Sequence, residues 1–458
     1  MIFTVWPWQH WREMRGEALA LRTAQETFTW RQLCRRVDAL AVGFSRQGVR
    51  EGEGVALCGK NSPQILFAWL ALLQCGARVL PLNPQLPPAL LARLLPSLSL
   101  SHALVCGDAP SPPGLAQLAW REEAGTCGVS WQAERFASMT LTSGSTGLPK
   151  AAVHSAAAHL ASAAGVLEEI PFAGDDCWLL SLPLFHVSGQ GIFWRWLLAG
   201  ASLAVSASQP LASRLAGCTH ASLVPTQLWR LLAEGEAVPS LKAVLLGGAA
   251  IPLELTQAAQ ARGIACWCGY GLTEFASTVC AKKADGQTDV GRVLAGREVK
   301  IVDDEIWLRG TSMAAGYWRN GGVQPLTNAE GWFATRDRGA WLGERLCVPG
   351  RLDNLFFSGG EGIQPEEVER VIAAHPQVRQ AFVVPLADKE FGHRPVAVVE
   401  CDEEAPPEAL AQWVRDKLAR FQQPVRWLTI PESIKNGGIK ISRRQLSEWV
   451  VNELSPTP

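Results

Sequence analysis

No charge of either sign dominates this chain: 42 Lys and Arg stand against 43 Asp and Glu, a formal balance of -1 over 458 residues. That excludes the broad basic field on which nucleic-acid binders rely, so no nucleic-acid partner is expected. Long hydrophobic runs are lacking too. The most apolar stretch, "ILFAWLALL" from Ile65 to Leu73, falls far short of the roughly 20 residues of a membrane-spanning helix. The opening "MIFTVWPWQHWREMRG" breaks its tryptophans with His and Arg and lacks the uninterrupted apolar core of a secretory signal. A soluble, cytoplasmic protein without an integral membrane segment is expected. The 12 cysteines are scattered, and the closest pair, Cys266 and Cys268, has no second pair or His at metal-ligand spacing, so they read as reduced, buried small residues. No repeat and no low-complexity tract breaks the chain.

What is present is an alternation of helical and strand grammar. "SPQILFAWLALLQCGARVLPLNP" predicts a helix from about Pro63, stopped near Gly76, then the strand "ARVLPL". "GQGIFWRWLLAGASLAVSA" repeats the pattern around Gly200, and "KAVLLGG" and "ASLVPT" add short apolar strands. Buried strands between longer helices predict an α/β fold with mainly parallel sheets. Beyond about residue 350 a glycine-rich loop precedes a helix beginning at Pro365, and strands, a helix and another strand follow. The expected organisation is a large N-terminal domain of layered α/β subdomains, residues 1–350, and a small α+β C-terminal domain, residues 351–458. The 19 tryptophans, without a positively charged surface around them, read as packing residues.

The most informative segment is "MTLTSGSTGLPKAAVH", Met139 to His154. A strand, a loop dense in glycine and hydroxyls, and then Lys150 make a physically sensible phosphate holder. Backbone N–H groups converge where glycine permits, hydroxyls add donors, and Lys150 supplies charge. A solvent-exposed turn is the plainer reading of such a composition. Pro149 before and Ala151 after Lys150 exclude a Walker A loop, and no G-x-G-x-x-G is present.

"TSGSTGLPK", Thr142 to Lys150, closely resembles the phosphate loop of the adenylate-forming superfamily, which holds acyl-CoA synthetases, luciferases and peptide-synthetase adenylation domains. Other segments resemble that family in the same order: "GGAAIP", Gly247 to Pro252; "GYGLTE", Gly269 to Glu274; "TRDRG" around Asp337; and "GRLDN" with Arg351 and Asp353. The resemblance implies a loop of Thr142, Ser143, Gly144, Ser145, Thr146, Gly147 and Lys150 on the phosphates of ATP. It implies Gly247, Gly248, Ala249 and Tyr270 at the adenine, Asp337 and Arg351 at the ribose, Thr273 at the α-phosphate and Glu274 on Mg²⁺. Asp353 would be the domain hinge, which implies that the small C-terminal domain is mobile. "NGGIKISRRQL" resembles the family's last signature and makes Lys440 the catalytic lysine, although Ile439 stands where glycine is usual and Lys435 is near. The implied reaction joins a carboxylic acid to AMP and then passes it to a thiol, here that of CoA. It needs no protein nucleophile, and no G-x-S-x-G elbow is found.

The acid is addressed by "SLPLFHVSGQGIFWRWLLAG", Ser181 to Gly200. By resemblance His186 is the gate of the acyl pocket; a packed ring beside Phe185 is the alternative. Arg195 puts a fixed charge in an apolar helix, with Gly191 and Ser188 on its face. If it faces a cleft, the acid carries a second anionic group; otherwise it reaches solvent or a protein carboxylate. Ser222 and Ser277 are weaker candidates for pocket contacts. Within the superfamily the chain most resembles the 2-succinylbenzoate–CoA ligases of bacterial menaquinone synthesis, which implies an aromatic dicarboxylate, ATP and CoA as small-molecule substrates. A ligase for another aryl or fatty acid, an adenylation domain that loads a carrier protein, and a nucleotide-binding regulator are the other readings. Homo-oligomerisation is open.

Overall fold

The computed structural model describes residues 2–142, 148–206, 210–249, 251–401, 407–435 and 441–454. Two large sheets organise most of the chain. In the eight-stranded one, Gly54–Cys58, Arg78–Leu82, Leu100–Val105 and Phe136–Thr142 run parallel. Lys150–Ser155 then turns back antiparallel to Phe136–Thr142, and Gly316–Arg319 pairs beyond it. The nine-stranded sheet has a parallel centre that includes Cys177–Leu179, Ser202–Ala204, His220–Leu223, Ala243–Leu246 and Ala265–Leu272. Ser277–Lys283 closes one side of that centre antiparallel.

The helices between the sheets form where the sequence places their signals. Pro63–Gln74 starts behind Ser62, whose hydroxyl accepts the Ile65 N–H at 3.2 Å, and ends before Gly76 at φ +74°. Ala156–Glu169 is capped by Ser155, and Val187–Ala199 stops at Gly200 in the left-handed region. Ala156–Glu169 touches strands of both sheets, so it is buried on two sides. Trp30, Trp178, Trp194 and Trp196 are among the largest fully buried side chains, and Trp30 stacks on Trp196 with centroids 5.3 Å apart. The tryptophans are thus largely core, as expected from the sequence.

One sheet was not foreseen. Arg297–Val302, Glu305–Gly310, Phe333–Leu342 and Arg345–Arg351 form a four-stranded antiparallel sheet. Its strands are half-exposed, and the first turn runs through Asp303 and Asp304 at positive φ, so no apolar run marks it. After it, Phe356–Ser358, Glu361–Ile363, Val378–Asp388, Gly392–Cys401 and Arg426–Thr429 build a five-stranded sheet of their own. Pro365–Ala373 and Arg443–Leu454 pack on it.

Glu369 is 8% exposed in that last unit and is held by Arg443 Nη2 at 2.9 Å. Arg443→Leu would leave the carboxylate buried without its partner. We expect about 3–5 kcal/mol of lost stability, read by chemical denaturation of the purified protein. Arg444→Leu, at an exposed position, should be near neutral.

Candidate active site

The site gathers at strand ends. Thr142 closes one strand and Lys150 opens its neighbour, and the two are directly paired. Ser143, Gly144, Ser145, Thr146 and Gly147 lie outside the described residues, as does Lys440. Lys150 projects over the ring of Tyr317, its Nζ 4.8 Å from the centroid. The Tyr317 hydroxyl donates to Glu274 Oε1 at 2.8 Å. Glu274 is buried within the turn Thr273–Phe275, so Thr273, Glu274 and Lys150 converge through a tyrosine that sequence reasoning missed. A signal for it existed: the chain has only two tyrosines, and each bonds a carboxylate of this site.

The other tyrosine is Tyr270, whose hydroxyl donates to Asp337 Oδ2 at 2.6 Å. Asp337 Oδ1 accepts from Arg351 at 3.1 Å, and the two residues face each other across an antiparallel ladder. Burial raises the Asp337 pKa above its ordinary value, against the opposing pull of the Tyr270 bond and the Arg351 charge. Burial also lifts the Tyr270 phenol well above its usual value, with the Asp337 charge adding to it. Arg351 reaches Asp353 as well, at 3.2 Å, within the turn Leu352–Asn354. Gly247, Gly248 and Ala249 follow the strand Ala243–Leu246, whose Leu246 pairs with Cys268, so they run beside Gly269 and Tyr270. Gly248 has φ +83°, which only glycine adopts without strain, and Gly248 and Ala249 are exposed to an incoming ligand.

The third group lies on the helix Val187–Ala199. His186 is its N-cap residue, with its ring 4.8 Å from that of Phe185. Arg195 is 2% exposed and so does not reach solvent. Its Nε donates to Gly191 O at 2.7 Å, and the guanidinium lies 4.6 Å from the centroid of the Trp178 ring. Among the described residues no carboxylate comes within 4.0 Å of it, and Nη1 has no partner. Burial pulls its pKa down to about 9. A Cβ on Gly191 would sit 2.9 Å from Arg195 Nη2 and 3.1 Å from Ser277 Oγ, so Ser277 and the guanidinium flank the space this glycine leaves. Ser222 Oγ is buried without a hydrogen bond, and none links it to Arg195. Gln190, also missed from the sequence, donates to Thr140 Oγ1 at 2.9 Å and ties this helix to the strand that ends at Thr142.

A carboxylate pair fixed by tyrosines, a lysine at a glycine-rich loop and an unpaired buried guanidinium suit a phosphorylated, polyanionic ligand beside an anionic one. Family models agree: the AMP-binding enzyme model matches residues 8–318, and its C-terminal domain matches 367–456. The chain belongs to the AMP-binding enzyme family.

It is 67% identical over 450 residues to a 2-succinylbenzoate--CoA ligase of Salmonella typhimurium (strain LT2), covering 98% of this chain and 99% of that one. The same figures hold for a 2-succinylbenzoate--CoA ligase of Escherichia coli (strain K12). The solved structure "R195K E. coli MenE with bound OSB-AMS" superposes with a TM-score of 0.94 at 65% identity, covering 99% of this chain and 100% of that one.

Gly271 carries a test of the turn that holds Thr273 and Glu274. A Cβ there would lie 1.8 Å from Ser277 O, against backbone. Gly271→Ala should cost about 1–3 kcal/mol or more, whereas Gly322→Ala, with nothing within 4 Å, should change little; denaturant midpoints compare them.

Proposed function

We propose that this enzyme activates 2-succinylbenzoate with ATP as an acyl-adenylate, releasing pyrophosphate, and transfers the acyl group to CoA, releasing AMP. It thereby serves menaquinone synthesis in the cytoplasm. The observation that carries the choice of acid is Arg195, a buried guanidinium without a carboxylate partner among the described residues. Full-length relatives at 67% identity named for that substrate support it. No described helix is long and apolar enough to cross a membrane.

A carboxylate resists a thiol because oxide would have to leave. One carboxylate oxygen of the acid therefore attacks the α-phosphorus of ATP and pyrophosphate departs, which gives a mixed anhydride. The thiol sulfur of CoA then attacks the acyl carbon and AMP leaves. No side chain is required as a nucleophile, so the residues position and offset charge. The Asp337 oxygens keep lone pairs for the ribose hydroxyls while Tyr270 and Arg351 hold the carboxylate still. The peptide edge Gly247–Ala249 takes the base. Lys150, Thr142, Thr273 and the loop residues Ser143, Gly144, Ser145, Thr146 and Gly147 take the phosphates.

Glu274 fits Mg²⁺, since Tyr317 occupies Oε1 and Oε2 makes no hydrogen bond among the described residues. When bound there, the ion would screen the phosphate charge. His186 guards the acyl pocket; Arg195, with Ser277 and Ser222 near it, receives the carboxylate that is not activated. Lys440 serves adenylate formation, and the unit beyond residue 351 turns about Asp353 between the two half-reactions.

Arg195→Gln should raise the KM for 2-succinylbenzoate about tenfold to a hundredfold, in line with about 1.5–3 kcal/mol for a charged hydrogen bond, and leave the KM for ATP near its original value. An unchanged KM for the acid would remove Arg195 from the pocket. Lys440→Ala should slow ATP–pyrophosphate exchange by about 100-fold or more while thioester formation from preformed acyl-adenylate stays close to wild type. Equal losses in the two assays would refute that role.

A further inference from the structure

Away from this site, one cavity of about 300 Å³ is lined by a second buried cation that has no counter-charge among the described residues. It opens at Gly54, Arg78 and Leu100, the first residues of three neighbouring parallel strands. Thr142 lies at the carboxy-terminal end of a strand parallel to them, so the cavity starts from the opposite edge of the sheet. None of the residues assigned above to nucleotide or acid lines it.

Arg78 is 4% exposed, and its guanidinium lies 3.5 Å from the centroid of the Trp318 ring. Nη1 donates to Gly52 O at 2.9 Å, and Nε faces the Met139 sulfur at 3.3 Å, a weak acceptor. Nη2 makes no hydrogen bond, and no carboxylate comes within 4.0 Å of the group among the described residues. Burial lowers its pKa to about 10. The indole face offsets part of the cost of such a charge, and less than burial imposes. An oxyanion on Nη2 would supply the rest.

The remaining wall limits what that oxyanion can be. Glu53 Oε2 accepts from the Arg50 N–H at 3.0 Å and from the Ser101 hydroxyl at 3.2 Å, whereas Oε1 accepts nothing among the described residues. A phosphate dianion on Arg78 would share the cavity with this carboxylate, an unfavourable pairing in a partly desolvated space. A singly charged group with a donor at its far end satisfies both walls. Ser99 and Gly321, with a Cβ on Gly321 only 3.8 Å from Ser99 Oγ, bound the volume at the hairpin side.

We propose that this cavity binds a small monocarboxylate carrying a hydrogen-bond donor, a hydroxy acid or an α-amino acid, with its carboxylate on Arg78 Nη2 and its donor on Glu53. The test titrates the full-length enzyme calorimetrically with L-lactate, L-serine and inorganic phosphate. Lactate or serine should bind the wild type and weaken about tenfold or more in Arg78→Met, equivalent to about 1.4 kcal/mol, while Arg195→Gln binds as the wild type does. No binding to the wild type, or a loss in Arg195→Gln instead of Arg78→Met, overturns the proposal. Phosphate binding tighter than both organic acids overturns the ligand class. If Arg78→Met does not fold, Glu53→Gln must weaken binding of the organic acid, and crystals of wild-type enzyme soaked in L-lactate must show it beside Nη2; failure of either refutes the site.

Discussion

An arginine buried among tryptophans, with no acid among the described residues to answer it, is the constraint on which the proposed acyl pocket depends. Arg195 sits in the middle of a helix packed between the nine-stranded sheet and the helix Ala156–Glu169, and among the described residues a backbone carbonyl and the Trp178 face meet its charge. Such a group is tolerated when a ligand completes it, because the desolvation cost is then shared with binding. The glycine four residues earlier keeps the space open, and the turn beyond Glu274 brings Ser277 against it. In the proposed function, specificity for the acid and placement of the phosphates are therefore joined within one turn of chain.

The nucleotide side follows a different principle. Its carboxylates are fixed before any ligand arrives, each by a phenol that cannot carry charge at neutral pH. Tyr317 couples Glu274 to the strand beside Lys150, and Tyr270 couples Asp337 to the strand paired with Ala243–Leu246. Preorganised acceptors cost no reorganisation when nucleotide binds. Three sheets contribute to these contacts, so the site exists only when their mutual packing is complete.

Much of this was legible in the residues. The strand that ends at Thr142 and the one that opens at Lys150, the helix caps at Ser62 and Ser155 and the stop at Gly200 obey local rules, and local rules survive folding. The depth of Arg195 was not legible, since helical spacing shows which face it shares but not whether that face meets solvent. Tyr317 escaped notice because its partner is 43 positions away in sequence, in a turn beside the other large sheet, and only the packing of the two sheets brings them together. The antiparallel sheet from Arg297 to Arg351 was missed for a related reason: half-exposed strands carry no continuous apolar run.

The crowding of indoles around the acyl helix has an optical consequence. Of 19 tryptophans, Trp178, Trp194 and Trp196 are at most 1% exposed, and Trp178 lies under the very guanidinium that would receive the acid. A cation over an indole shifts its excited state, so a redistribution of charge at Arg195 should perturb the emission of Trp178. The enzyme carries its own spectroscopic gauge of that pocket without an added dye.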